Sequence, residues 1–264
     1  MQQAIWQSMC DEAREASVQQ PLMASFFHAN ILYHKGFTAA ISFYLANKLG
    51  SKTVPAMQIQ QVFHEALQSD AKLVESMLAD LVAYRERDPV CDQYIIPFLY
   101  HKGFHAVQGY RIAHWLYQQG RRTLAAYFQS QISALLDMDI HPAAVLGGGL
   151  MVDHATGVVI GETTIIEENV SMLHAVTLGG SGNESGVQRH PTIRRGVLLS
   201  AGSKILGPVD VGEGAKIGAG SIVLEDVPAH ATVVGVPARI VARASASSPQ
   251  PSFDMDHRVD VSTP

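Results

Sequence analysis

Asp153 and His154 stand side by side, followed by Ala155-Thr156-Gly157, and another carboxylate, Asp139, lies fifteen residues before His154. An imidazole near its ordinary pKa of about 6.5 can take a proton at neutral pH. A carboxylate bonded to its other nitrogen fixes the tautomer and stabilises the imidazolium. These residue types suit general-base activation of a hydroxyl nucleophile. A surface histidine beside an incidental aspartate is an equal reading of the residues taken alone. Arg189 and His190 form a second polar cluster. A guanidinium can bind a carboxylate through two parallel hydrogen bonds, and a solvated loop charge fits the same residues. Lys204 and Lys216 occupy equivalent positions two hexads apart and could meet phosphates, or be ordinary surface lysines. The run Gly179-Gly180-Ser181-Gly182 would let a ligand approach the backbone, but it matches no phosphate-loop pattern.

A six-residue period positions these groups. Ile193, Leu199, Ile205, Val211, Ile217 and Val223 are evenly spaced, and four positions after each comes Val197, Ser203, Val209, Ala215, Ser221 or Val227. Neither the 3.6 period of a helix nor the 2 of a strand sustains this. A parallel β-helix of short flat strands does, with large residues inward and small or β-branched ones at the turns. The register extends back through Ile160, Ile166, Met172 and Leu178, and more weakly through Ile140, Leu146 and Val152. Val152 to Ile160 is two residues too long for a hexad, and Leu178 to Ile193 is nine too long. A regular coil holds no surplus inside, so the extra residues must bulge outward. The first break carries Asp153 and His154; the second carries the glycine run and ends near Arg189 and His190. Breaks in a rigid scaffold commonly display functional groups. With roughly eighteen residues per three-sided coil and about 4.8 Å between stacked strands, Asp139 and His154 fall about one coil apart, within side-chain reach.

Residues 1–138 read as helices. Pro21 opens an apolar stretch through Tyr33, and the spacing predicts helices over 38–49, 55–67, 71–84, 104–117 and 124–136. The string Tyr-His-Lys-Gly-Phe occurs at 33–37 and again at 100–104. A net charge of −5 gives no reason to expect nucleic acid or an anionic membrane as partner. No apolar run is long enough to span a bilayer, and two cysteines fit a reducing compartment. The expectation is a cytoplasmic protein with a flexible tail over 244–264, where Ala, Ser, Pro and Gln dominate.

The strings Asp139-Ile-His-Pro-Ala-Ala, Asp153-His-Ala-Thr-Gly157, Val176-Thr-Leu-Gly-Gly180, Arg189-His-Pro191, Lys204-Ile-Leu-Gly207, Gly214-Ala-Lys-Ile-Gly-Ala-Gly220 and Gly235-Val-Pro-Ala-Arg239 closely resemble the serine acetyltransferases of bacteria and plants. In the helical half, Asp88-Pro89, Lys102-Gly-Phe-His-Ala106 and Tyr110-Arg-Ile-Ala-His-Trp115 look like the same family. The resemblance implies an α+β chain: an all-helical domain over 1–138, then a left-handed parallel β-helix of hexapeptide repeats over 139–243. It implies acetyl transfer from acetyl-CoA, as co-substrate, to the L-serine hydroxyl in cysteine biosynthesis, without a metal. By position His154 would be the general base and Asp139 its partner. Asp88, Asp153, Arg189 and His190 would hold serine, and Gly180, Ala201, Lys216 and Ala219 would take coenzyme A between subunits. The family also implies L-cysteine as inhibitor and a homotrimer or dimer of trimers. It often binds O-acetylserine sulfhydrylase through a carboxy-terminal isoleucine; this sequence ends Asp260-Val-Ser-Thr-Pro264 without one, which places that partner in doubt.

Three other readings compete. One is a hexapeptide-repeat acyltransferase acting on a sugar or an antibiotic. Another is a zinc hydratase of the carbonic anhydrase type, needing three converging histidines; His154, His174 and His190 exist, but no His-x-x-x-x-His pair follows in the second half. The third is a scaffold with incidental histidines.

Overall fold

A computed structural model describes residues 2–182, 187–245, 247–248 and 250–259. The helical half runs α1 (Gln2–Gln19), a 3-10 turn at Pro21–Met23, α2 (Ala24–Phe27), a π-helical turn at His28–Leu32, α3 (Phe37–Leu49), α4 (Ala56–Ser69), α5 (Ala71–Arg87), α6 (Ile95–Tyr100), α7 (Lys102–Gln118) and α8 (Arg122–Leu136). Five of these match the expected helices to within a few residues. The stretch opened by Pro21 is instead broken into three short pieces. Within it Asn30 Nδ2 donates to the Phe26 carbonyl at 2.8 Å, a side-chain bond that competes with the regular helical ladder. Helix α5 starts at Asp70, whose side chain accepts from the Lys72 amide at 2.9 Å.

Two residues after α8 the chain turns into strands: β1 (Met138–Ile140), β2 (Val145–Leu146), β3 (Met151–Val152), β4 (Val158–Ile160), β5 (Ile165–Ile166), β6 (Ser171–Met172), β7 (Thr177–Gly179), β8 (Thr192–Ile193), β9 (Leu198–Leu199), β10 (Lys204–Leu206), β11 (Asp210–Val211), β12 (Lys216–Ile217), β13 (Ile222–Val223), β14 (Ala231–Gly235) and β15 (Ala238–Arg243). Through β13 every third strand joins the same sheet, and β14 then pairs with β12, giving β1-β4-β7-β10-β13, β2-β5-β8-β11 and β3-β6-β9-β12-β14 as three parallel faces of a solenoid. Strand β15 closes the last face antiparallel to β14. The six-residue set fills the interior: Ile193, Leu199, Ile205, Val211 and Ile217 are fully buried, as are the corner residues Val197, Ser203, Ala215 and Ser221.

Left-handed backbone recurs at one corner, at Gly157, Ala175, Gly202 and Gly220. His154 (φ 57°) and Ala155 (φ 63°) are left-handed as well and stand outside that series. They belong to the two-residue surplus, taken up as a tight turn in which the Ala155 amide donates to the Asp153 carbonyl at 2.6 Å. Non-glycine residues adopt this conformation only where their surroundings enforce it.

The helical half caps the first coil. Arg111 of α7 donates to the carbonyls of Leu146 and Gly147, and His114 Nδ1 lies 2.7 Å from the Pro142 carbonyl. Arg111 also forms a buried bidentate pair with Asp80 of α5, at 2.8 and 3.0 Å, and Gln108 donates to the same carboxylate. The segment expected as a flexible tail lies in part against the solenoid. Residues 250–259 include α9 (Pro251–Asp254); Ser171 Oγ donates to the Ser252 carbonyl at 2.8 Å, and the Arg87 guanidinium stacks over Phe253 at 4.3 Å.

Candidate active site

His154 sits at the solenoid corner between β3 and β4, beneath the junction of α6 and α7. Its side chain is 69% exposed and Nε2 lies 3.4 Å from Asp153 Oδ2. The ring of His174, one coil further on, meets it edge to face at 5.7 Å. A cavity of about 320 Å³ opens here, lined among others by Asp88, His101, Lys102, Asp153 and His154. Asp88 follows the last residue of α5, and His101 precedes the first residue of α7. The helical half therefore supplies one wall and the solenoid the other. Burial holds His101 below its ordinary pKa, opposed by the nearby carboxylates of Asp88 and Asp153. Lys102 Nζ donates to Thr156 Oγ1 at 2.6 Å and pins the far side of the turn.

A second cavity of about 380 Å³ shares Asp88 and Asp153 and is closed by Phe253, Met255 and His257 of the carboxy-terminal segment. His257 Nδ1 lies 3.1 Å from Ser200 Oγ, and Lys216 Nζ donates to the Arg258 carbonyl at 2.5 Å.

The structure thus brings together Asp88, Asp153 and His154 of the expected residues. Asp139 is on β1, and its Oδ1 accepts from Gln129 Nε2 at 2.7 Å; the carboxylate beside the imidazole is Asp153. Arg189 and His190 face another corner. Arg189 Nη2 donates to Glu162 Oε2 at 2.6 Å, and His190 Nδ1 sits 2.9 Å from Thr163 Oγ1. Burial, then the Arg189 charge, holds His190 below its ordinary pKa. The ring is so tightly seated that a Cβ on Gly161 would fall 2.0 Å from it, and one on Gly180 2.9 Å from it. Ala201 and Ala219 stack on the His154 corner in later coils: the Gly202 amide donates to the His174 carbonyl and the Gly220 amide to the Ala201 carbonyl. At about 4.8 Å per coil this column runs on the order of 15 Å from His154, with small side chains flanking its far end.

His101 and Tyr84, which also lines the cavity, were not singled out by the sequence reading. The repeated Tyr-His-Lys-Gly-Phe string was the available signal for His101, since its second copy forms this wall. Among the described residues no group of three or more His, Cys, Asp or Glu is placed to hold a metal ion. No helix among them is long and apolar enough to cross a membrane.

Comparison with known proteins bears on the same two halves. Residues 5–109 match the family model described as serine acetyltransferase, N-terminal. The serine acetyltransferase of Escherichia coli K12 is 53% identical over 252 residues, 96% of this chain and 91% of the relative. The chain belongs to the serine acetyltransferase family. It is an acyltransferase, and the fold is the one that family shares. The crystal structure of serine acetyltransferase from Vibrio cholerae superposes with a TM-score of 0.95 at 53% identity, covering 98% of this chain and 99% of that one. A serine acetyltransferase in complex with cysteine gives 0.95 at 49% identity, covering 98% and 100%.

Proposed function

We propose that the chain transfers an acetyl group from acetyl-CoA to the hydroxyl of L-serine, with His154 as general base. The observation that carries this is the exposed His154 imidazole at a cavity whose wall presents two carboxylates, Asp88 and Asp153. A substrate ammonium pairs with those carboxylates, leaving the hydroxyl toward the imidazole. Arg189 and His190 bind the substrate carboxylate. Within one chain they face another corner, so a neighbouring copy supplies them and the working unit is a trimer or a dimer of trimers. Solved relatives in complex with serine and with CoA support both ligands.

The chemistry follows from these groups. His154 takes the hydroxyl proton as the serine oxygen attacks the thioester carbonyl. The tetrahedral intermediate expels the CoA sulfur, which receives the proton from the imidazolium, giving O-acetyl-L-serine and free CoA. Family resemblance assigns the orienting carboxylate to Asp139, although here its Oδ1 accepts from Gln129 and Asp153 is the carboxylate nearest the ring. Acetyl-CoA lies along the column of Ala201 and Ala219, with Gly180 near the thioester and Lys216 toward the phosphates. L-cysteine differs from serine by sulfur for oxygen, so it fills the same pocket and inhibits, as the cysteine complex of a relative supports. On this reading the enzyme serves cysteine biosynthesis, with the cytoplasm as its expected location. The carboxy-terminal residues that bear on the sulfhydrylase partner, 260–264, lie outside the described residues.

The test is thiol release from acetyl-CoA with L-serine, set against homoserine, threonine and a sugar. Serine-dependent release blocked by cysteine supports the reading. Release with a sugar and none with serine overturns it.

A further inference from the structure

Strand β3 is the terminal strand of its sheet. Its inward-directed amides are satisfied by the next coil: Met151 donates to the Val170 carbonyl and Asp153 to the Met172 carbonyl. The alternate groups, on Leu150 and Val152, point away from the solenoid and have no strand to meet. Helix α5 takes the place of that missing strand. Asp80 Oδ1 accepts from the Leu150 amide at 2.8 Å. One turn on, the Tyr84 hydroxyl accepts from the Val152 amide at 3.0 Å and donates to the Val152 carbonyl at 2.8 Å. Another turn on, Arg87 donates to Ser171 Oγ and Asn169 Oδ1 in the second coil.

Tyr84 is 2% exposed, so both bonds are sheltered from water. The first turn of α7 presses on the same point: a Cβ on Gly103 would lie 2.1 Å from the Val152 carbonyl oxygen and 2.8 Å from the Tyr84 hydroxyl. Val152 is the residue immediately before Asp153 and His154, where the backbone enters its left-handed turn. Downstream, the turn is tied by the Gly157 amide to the Asp137 carbonyl at 2.9 Å. Upstream, the phenol is the tie.

We propose that Tyr84 is a positioning residue for acetyl transfer: by gripping both polar groups of Val152 it fixes the backbone that aims the His154 imidazole at the substrate hydroxyl. This rests on the reading of His154 as general base. Placement of a reacting group to within about an ångström is worth on the order of a hundredfold in rate. Loss of the grip therefore acts on turnover, and through Asp153, which follows Val152, on serine binding, while acetyl-CoA binding is untouched.

The experiment is a cycle of Tyr84→Phe, His154→Ala and the double variant, with steady-state thiol release read for each. Tyr84→Phe is expected to lower kcat roughly ten- to a hundredfold while leaving the KM for acetyl-CoA within about twofold. In the His154→Ala background it is expected to lower the residual rate no further, because the group it aims is gone. An equal loss in both backgrounds, a raised KM at unchanged kcat, or no effect at all would overturn the proposal. Near-normal turnover of His154→Ala would instead remove the base reading itself, so the two failures are told apart. Melting temperature and oligomer size of Tyr84→Phe are read beside the kinetics: the kcat loss is expected in protein that assembles as the native chain does, and a loss only in proportion to unfolded protein would overturn the proposal.

Discussion

Asp153 Oδ2 lies 3.4 Å from His154 Nε2, while Asp139 is held by the Gln129 side chain at 2.7 Å. Two carboxylates thus compete for one role, and exchanging each for an amide separates them. With Asp139 as the orienting partner, Asp139→Asn lowers kcat on the order of 10²-fold with little change in serine KM. Asp153→Asn removes a charge that meets the substrate ammonium and raises serine KM by about tenfold or more. Steady-state kinetics over serine concentration checks both, and the reverse pattern would exchange the two roles.

The Asp80–Arg111 pair joins α5 to α7, with side chains only 1% and 5% exposed, and both members also bond solenoid backbone, Arg111 at Leu146 and Gly147 and Asp80 at Leu150. Removing one member of a buried pair leaves an uncompensated charge and costs about 3–5 kcal/mol. Asp80→Ala also strands the Leu150 amide. Chemical denaturation of Asp80→Ala is expected to show a loss of that size; a loss below about 1 kcal/mol would mean that the pair and its solenoid bonds do not stabilise this junction.

His105 is fully buried, and its Nε2 lies 2.8 Å from the Phe98 carbonyl. Burial, then the Lys48 charge, pushes its pKa down to about 3. The unfolded chain, at about 6.5, therefore binds the proton more readily than the folded one. Stability is unaffected above pH 6.5 and falls as pH drops from there toward 3, by up to a few kcal/mol. The buried or half-buried His34, His101, His114 and His141 are lowered too and add in the same direction. Melting temperature against pH is expected to fall below 6.5 in the native chain and to fall less steeply in His105→Gln. Parallel curves would remove His105 as a source of acid sensitivity.

Phe253 under the Arg87 guanidinium anchors a segment that also occupies Lys216 through the Arg258 carbonyl. If Lys216 meets coenzyme A, the segment must leave as the ligand binds. A partly sheltered cation–π contact is worth about 1 kcal/mol, so Phe253→Ala lowers acetyl-CoA KM by up to about fivefold at unchanged serine KM. An unaltered acetyl-CoA KM would separate the segment from that site.

The solenoid was open to reading because each coil repeats the same local geometry, so inward Ile, Leu and Val recur every six residues. The two breaks in that period led to Asp153-His154 and to Arg189-His190. Asp88 rested on family resemblance alone, and Tyr84 and His101 were not reached. They join the site because α5 and α7 pack across β3, a tertiary contact that leaves no periodic trace. The contacts of Phe253 and His257 were equally hidden, since a stretch rich in Ser, Pro and Ala has the composition of an unfolded tail. Residue pairing across stacked coils was less legible: spacing set Asp139 one coil from His154, whereas its carboxylate is held by Gln129 of α8 and Asp153 lies beside the ring.

The most direct test of the central claim is serine-dependent thiol release by His154→Ala at saturating acetyl-CoA, alongside the size of the oligomer in solution. Loss of the general base is expected to lower turnover roughly 10²–10⁴-fold in a protein that assembles as the native chain does. Near-normal turnover by the same intact assembly would contradict the account and take His154 out of the chemistry.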